Sequence, residues 1–341
     1  MIKLSVLDQS PVSEGTTPAE ALAQTSRLAR EAEQLGYHRF WVSEHHAAPG
    51  LAGSSPEVLM SHLAAVTSRI RIGSGGVLLP HYSAFKVAEN FRVLEGLYPG
   101  RIDLGLGRSP GGGALATQAL QENQLRGTDR YEQQIEDLIA YLYEEPGSTH
   151  RFAGLQAAPV VSTAPEIWLL GSSSGSAALS ARLGAGFAFA QFINGDGGVG
   201  AVSQYRKKFR SSAISDTANC LVAVFAVCAE TDEEADRLAS SMDLSLILLE
   251  KGHVSTETPS VERSASYAYT PYDMFRIQEN RKRMVIGSPE TIRRQMEKLA
   301  EQYECNEIMI ASLIHTFPDK LKSLRLIAEA WGLRPASNLR E

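Results

Sequence analysis

The chain has 341 residues, 43% of them apolar and 21% charged, with a formal net charge of −6. The apolar share is enough for a sizeable core, and an acidic balance with no long basic run excludes nucleic acid and anionic membrane, leaving a small-molecule substrate as the expected partner. Asp8 comes too early for a signal-peptide core and no apolar run approaches a membrane span, so a cytoplasmic protein is expected.

In chain order, Ile2 to Leu7 reads as a buried strand ending at Asp8-Gln9-Ser10-Pro11. Thr17-Pro18-Ala19-Glu20 is a capping box with Pro at the first helical position, and it opens a helix that runs to Leu35 and is closed by Gly36. Arg39 to Val42 is the next strand and leads into Ser43-Glu44-His45-His46. Pro56 to Thr67 is a short helix. Ile70 to Gly73 is a strand whose end, Ser74-Gly75-Gly76, has backbone freedom closed to other residues. Ala84 to Leu97 is an amphipathic helix, and Ile102 to Leu106 a strand followed by Gly107-Arg108-Ser109-Pro110 and three glycines.

A helix is expected from Thr128 to Tyr143, then an irregular insertion over 144–165 with a small hairpin around Arg151-Phe152. Ile167 to Leu170 is a short buried strand, Gly171 to Ser174 a turn, and Ala177 to Leu183 a helix. Gly186 to Ala190 is a strand with a helix at Val199 to Phe209, and Asn219 to Ala229 a strand with a helix at Asp232 to Leu249. Lys251 to Arg283 breaks the rhythm. It is polar, contains Pro259 and Pro271, and reads either as a lid or as a surface excursion with a short helix from Pro271. A helix from Ser288, a strand at Glu307 to Ala311 and a helix at Pro318 to Trp331 complete the chain. Cys220 and Cys228 fall in one strand, roughly 27 Å apart at about 3.3 Å per residue, so they form no disulfide. No Cys/His spacing suits zinc.

Eight strands, nearly all followed by helices, predict a (β/α)8 TIM barrel in one domain over residues 1–341, with insertions at 144–165 and 251–283. A doubly wound open sheet is the alternative, weakened because no Gly-x-Gly-x-x-Gly opens the first βα turn. Chemistry in such a barrel gathers at the carboxyl ends of the strands. The residues there are Asp8, Ser10, Glu44, His45, His46, Gly75, Gly76, Gly107, Arg108, Ser172 to Ser174 and Gln191. Gly171, Ser172, Ser173 and Ser174 put hydroxyls beside the N–H groups of a helix start, which suits a phosphate monoester, although an ordinary βα-loop has the same composition. Arg108 can complete that anion site or can pair with Asp103, Glu122 or another acid. His45 and His46 are adjacent and point to opposite sides in extended backbone, so at most one faces the mouth, with Glu44 available to orient it.

Trp41-Val-Ser-Glu-His-His46, Ile72-Gly-Ser-Gly-Gly-Val-Leu-Leu-Pro80, Gly100-Arg-Ile-Asp-Leu-Gly-Leu-Gly-Arg-Ser109 and Leu170-Gly-Ser-Ser-Ser174 occur in series over nearly the whole chain. Together they resemble the bacterial luciferase-like flavin monooxygenases, and more closely the single-chain luciferase-like oxidoreductases than the luciferase subunits. The resemblance implies FMN, reduced by a separate flavin reductase, as cofactor, with O2 and a small organic molecule as substrates, and commonly a homodimer. It implies a non-proline cis peptide at Gly75-Gly76 or Ser74-Gly75 under the flavin ring. Phosphate contacts are implied at Arg108 and Ser172 to Ser174, and an active-site histidine at His45. Gly107 stands where the light-emitting luciferase subunit has cysteine, which enlarges the space beside the flavin and counts against a luciferase-type aldehyde reaction. A non-catalytic FMN carrier and a deazaflavin-dependent hydride-transfer enzyme are the rival functions.

Overall fold

The computed structural model describes residues 2–122, 130–143, 147–254 and 256–334. In order the elements are β1 (Lys3–Asp8), α1 (Pro18–Leu35), β2 (Arg39–Val42), α2 (Pro56–Ala65), β3 (Arg71–Ser74), β4 (Val77–Leu78), α3 (Ala84–Leu97), β5 (Ile102–Gly107), α4 (Ala114–Leu120) and α5 (Tyr131–Tyr143). They continue with β6 (Glu166–Gly171), α6 (Ser174–Leu183), β7 (Gly186–Ala190), α7 (Gly198–Lys208), β8 (Cys220–Cys228) and α8 (Asp232–Glu250). The chain ends in α9 (Val261–Ser266), α10 (Pro271–Arg281), β9 (Met284–Gly287), α11 (Pro289–Tyr303), β10 (Glu307–Ala311) and α12 (Phe317–Trp331).

β1, β2, β3, β5, β6, β7, β8 and β10 pair in parallel around a closed ring, with β10 bonded to both β8 and β1. This is the eight-stranded (β/α)8 barrel. Its strands are buried on both faces, and the two faces carry different residues, as a period of two requires. Leu7, Trp41, Trp168, Ala188, Leu221, Ala223, Phe225, Met309 and Ala311 form the interior cluster. Val6, Phe40, Val42, Ile72, Leu104, Ile167, Phe187 and Ile310 face the helices. The capping box at Thr17 and Glu20 forms as expected, and Gly36 closes α1 at φ 87°. No helix among the described residues is long and apolar enough to cross a membrane.

The amino-terminal floor of the barrel is charged. Arg39 Nε donates to Glu307 Oε1 at 2.7 Å and its Nη1 to Asp103 Oδ2 at 2.7 Å, while Arg71 Nη2 donates to Asp103 Oδ1 at 2.6 Å. Ser5 Oγ and Trp41 Nε1 add donors at 2.6 Å and 2.8 Å. Burial opposes the charge on Arg39, but Asp103, Glu307 and Glu166 outweigh it and raise its pKa. Burial likewise opposes ionisation of Asp103, and Arg39 and Arg71 reverse that and hold its carboxyl below the usual range.

The structure corrects several expectations. The insertion over 251–283 is not structureless, since it contains α9 and α10, the latter where the short-helix alternative put a helix from Pro271. The strand β9 was not expected. It exists because β8 outruns the barrel: Cys220 to Ala223 pair with β7, and Phe225 to Cys228 pair with β9. The described part of 144–165 contains no strand, so the hairpin around Arg151-Phe152 is absent there. Asp137 on α5 instead holds His150 at 3.1 Å and the Arg151 guanidinium. Thr128, expected to cap α5, lies outside the described residues. Cys220, Cys228 and Cys305 are free and buried.

Removing Asp103 takes one of the three carboxylates, Asp103, Glu166 and Glu307, away from the Arg39 and Arg71 guanidinium groups, so Asp103→Ala should lower unfolding free energy by about 3–5 kcal/mol. Urea denaturation measures this, and a loss below about 1 kcal/mol, the scale of an exposed pair, would show that the floor is not held by charge. Because the Asp103 pKa is lowered in the fold, its contribution is present above the ordinary value of 3.8 and is lost as pH falls through the lowered one.

Candidate active site at the barrel mouth

Alternation along β2 sorts the Ser-Glu-His-His segment into two pairs. Ser43 and His45 continue the side of Trp41, with Ser43 Oγ and His45 Nδ1 hydrogen-bonded at 3.1 Å. Glu44 and His46 lie on the other side, with Glu44 Oε1 and His46 Nε2 at 2.6 Å. The carboxylate therefore orients His46 and not His45. Burial first, and the neighbouring His46 second, push the His45 pKa below its ordinary value of 6.5, so the ring is neutral at pH 7.

β3 is followed by a Gly75-Gly76 peptide that is cis, the first of the two positions the family resemblance implied. Glycine is required at both residues. A Cβ on Gly75 would lie 2.8 Å from Leu7 Cδ1 and 3.2 Å from the Trp41 ring, and one on Gly76 would lie 2.6 Å from Gly105 O. Ser74 is fully buried. Its hydroxyl donates to Gly105 O at 2.9 Å and accepts from Gly105 N at 3.0 Å, so its side chain is committed to β5.

β5 and β6 are neighbours, with Leu106 opposite Leu169, so Gly107 and Arg108 leave the barrel alongside Leu170 and Gly171. Ser173 caps α6, its hydroxyl accepting from Ser176 N, and both Ser173 and Ser174 are exposed. Arg108 is exposed and stands near Tyr131, whose phenol burial raises and whose pKa the Arg108 charge partly brings back. The guanidinium-bearing loop and the serine turn are thus at the same end of the barrel. Both oxygens of Asp103 are engaged at the opposite end, by Arg39, Arg71 and Trp41.

Asp8 and Ser10 are drawn away from the mouth. Asp8 is paired with Lys320 on α12 and accepts from Thr25 on α1 at 2.6 Å, and Thr25 also bonds Ser10 Oγ at 2.9 Å. Gln191 is buried, and Phe192 packs on Phe225 with ring centroids 5.0 Å apart. The insertion reaches two sides of the mouth. Thr258 N donates to Val12 O in the loop after β1 at 2.7 Å, and the Arg283 guanidinium donates to Ile193 O after β7. The sequence pointed to neither Tyr82 nor His81. Tyr82 Oη donates to Glu44 Oε1 at 2.6 Å and His81 packs on His46, contacts whose signal is only the shared loop after β4.

Comparison with known proteins matches residues 2–303 to the luciferase-like monooxygenase family model. The chain is 54% identical to Bacillus subtilis YwcH over 97% of this chain and 100% of that one. It is 39% identical to the N-acetyl-S-alkylcysteine monooxygenase of Bacillus subtilis over 97% and 98%. Among solved structures, apo-MsnO8 superposes with a TM-score of 0.88 at 38% identity, covering 98% of this chain and 100% of that one. The fold is shared at lower identity by the oxygenating constituent of Pseudomonas putida 3,6-diketocamphane monooxygenase in complex with FMN (TM-score 0.68, 18% identity, 98% and 99% covered). It is shared too by an F420-dependent secondary alcohol dehydrogenase (TM-score 0.66, 14% identity, 96% and 98% covered). The chain belongs to the luciferase-like monooxygenase family.

Proposed function

We propose that this protein is an FMN-dependent monooxygenase that receives reduced FMN from a separate reductase and oxidises a small organic molecule with O2. The observation that carries this reading is the convergence, at one end of the barrel and on adjacent strands, of Arg108 and the Ser172 to Ser174 helix start. One guanidinium, exposed hydroxyls and the N–H groups that open α6 are a donor set suited to a phosphate monoester. Bound reduced flavin would supply two electrons to O2, one oxygen atom passing to the substrate and the other to water.

The chain's own residues would bind, orient and protonate. Arg108, Ser172, Ser173 and Ser174 would hold the phosphate, and Gly171 keeps the turn tight against Ser176, where a Cβ has no room. Gly75, Gly76 and the backbone of Ser74 would lie under the ring, with Gly107 near its edge, although a Cβ on Gly107 would point at Leu78 Cδ2, 2.9 Å away. His45 has Nδ1 engaged by Ser43, so Nε2 is the ring atom left to move a proton, and the neutral ring can accept one. The insertion over 251–283 would act as a lid that excludes water, and the functional unit would be a homodimer. Since structural relatives carry either FMN or F420, the deazaflavin reading is an outcome of the same binding measurements.

Arg108→Ala should weaken FMN binding at least tenfold more than riboflavin binding in equilibrium fluorescence titrations, the scale of a lost charge-assisted contact of about 1.5–3 kcal/mol. Equal losses for the two ligands, or preference for reduced F420 over reduced FMN in the unaltered protein, would sink the clamp or the cofactor. His45→Ala should leave the FMN Kd within about twofold while slowing substrate-dependent O2 consumption by about 10²–10⁴. With His45 intact, turnover should fall on acidification below pH 6.5, as the free base is lost, and this limb should vanish in His45→Ala.

A further inference from the structure

The glycine run after Arg108 is seated on the β2 and β4 loops. His46 N donates to Gly111 O at 2.8 Å, and His81 Nε2 is hydrogen-bonded to Pro110 O at 2.8 Å. Gly111 has φ 60°, and a Cβ there would collide with Leu78 and lie 3.2 Å from Glu44 O; one on Gly112 would lie 2.5 Å from His46 O. These close approaches seat the loop directly against Leu78, Glu44 and His46. Beneath it lies the Glu44 carboxylate, with no exposed side-chain surface. Glu44 Oε1 accepts from Tyr82 Oη and from His46 Nε2, both at 2.6 Å, and Oε2 accepts from Leu78 N at 2.9 Å.

We propose that Glu44 is a positioning residue for the cofactor phosphate, acting through His46 and Leu78 on the loop that begins at Arg108. This rests on the FMN reading above. Glu44 ties the end of β2 to β4, the strand that follows Gly75-Gly76, and through His46 to the Arg108 loop, so one side chain sets the spacing between the ring platform and the phosphate clamp. A glutamine at this position keeps the volume but cannot accept from all three donors, because one of its two terminal atoms is itself a donor. The seat under Gly111 and Gly112 then loosens, and Arg108 loses its fixed reach.

The test titrates the full-length protein, Glu44→Gln and Tyr82→Phe with FMN and with riboflavin, alongside thermal melts. The unaltered protein should prefer FMN, and Glu44→Gln should cut that preference about tenfold, the equivalent of one charge-assisted hydrogen bond, with riboflavin affinity nearly unchanged. Tyr82→Phe removes one donor and leaves the carboxylate, so its preference should fall by less. A melting shift with equal losses for both ligands in Glu44→Gln would mean a purely structural role and overturn the proposal. If Glu44→Gln does not fold, Tyr82→Phe decides, and an undiminished preference overturns it. An unaltered protein that does not distinguish FMN from riboflavin overturns the phosphate clamp itself, and this proposal with it.

Discussion

A guanidinium cannot lie 3% exposed inside a barrel unless carboxylates come with it, and Arg39 brings them from across the ring. Its partners Asp103, Glu166 and Glu307 start strands that do not pair with β2, so the cluster cross-links the barrel where the ladder cannot. The two tryptophans of the interior rest on this layer. Arg39 lies 4.8 Å from the Trp168 ring centroid and 5.8 Å from that of Trp41, and the two rings meet edge to face at 5.8 Å. Trp41 in turn sets the wall against which Gly75 sits, so the geometry of the mouth is inherited from the floor.

The mouth itself is assembled from neutral and small groups. Ser43, Gly75, Gly76, Gly107, Ala190 and Ala311 take little space, and the interior cations are at the other end, in Arg39 and Arg71. Charge at this end includes the exposed Arg108 after β5 and, on the outward side of β2, Glu44 surrounded by donors. A neutral His45 fits such a place. Burial disfavours its cation and no carboxylate among its named contacts favours it, so the ring is available as a base near neutral pH.

Much of this was legible in the residues. The strand–helix alternation located the barrel strands, and the Gly-Gly pair and the Arg108 and Ser172 to Ser174 turns fell at one end because parallel βα units put every strand's carboxyl end there. The period of two also contained the pairing of Glu44 with His46, since residues two apart share a side; expecting Glu44 to serve whichever histidine faces the mouth neglected that same rule. Other features had no local signal. Arg39, Asp103, Glu166 and Glu307 are each unremarkable at the start of a strand, and only ring closure brings them together. β9 is four residues long and has a partner only because β8 overshoots. Asp8 looked like a mouth residue, yet its alternation with Leu7 turns it outward, to Lys320 and Thr25.

The same contrast separates an enclosed floor from a more exposed rim. α10 buries only Asp273 and Asn280 of its eleven residues, while Tyr272, Met274 and Phe275 stay exposed. It is held to α8 and the residue after it by charge, with Lys251 on Asp273 at 2.8 Å, Arg276 on Glu250 at 2.9 Å and Arg281 on Asp236 and Asp243. The members of these pairs that reach solvent, Lys251, Arg276 and Asp236, are screened by salt, although Asp243 and Asp273 are themselves buried, whereas Arg39, Asp103 and Glu307 are all enclosed. Cohesion therefore decreases from the charged floor through the tryptophan layer to the insertion. A molecule entering between the loops after β1 and β7 would meet the partly exposed contacts of the insertion before it met the enclosed Arg39 floor.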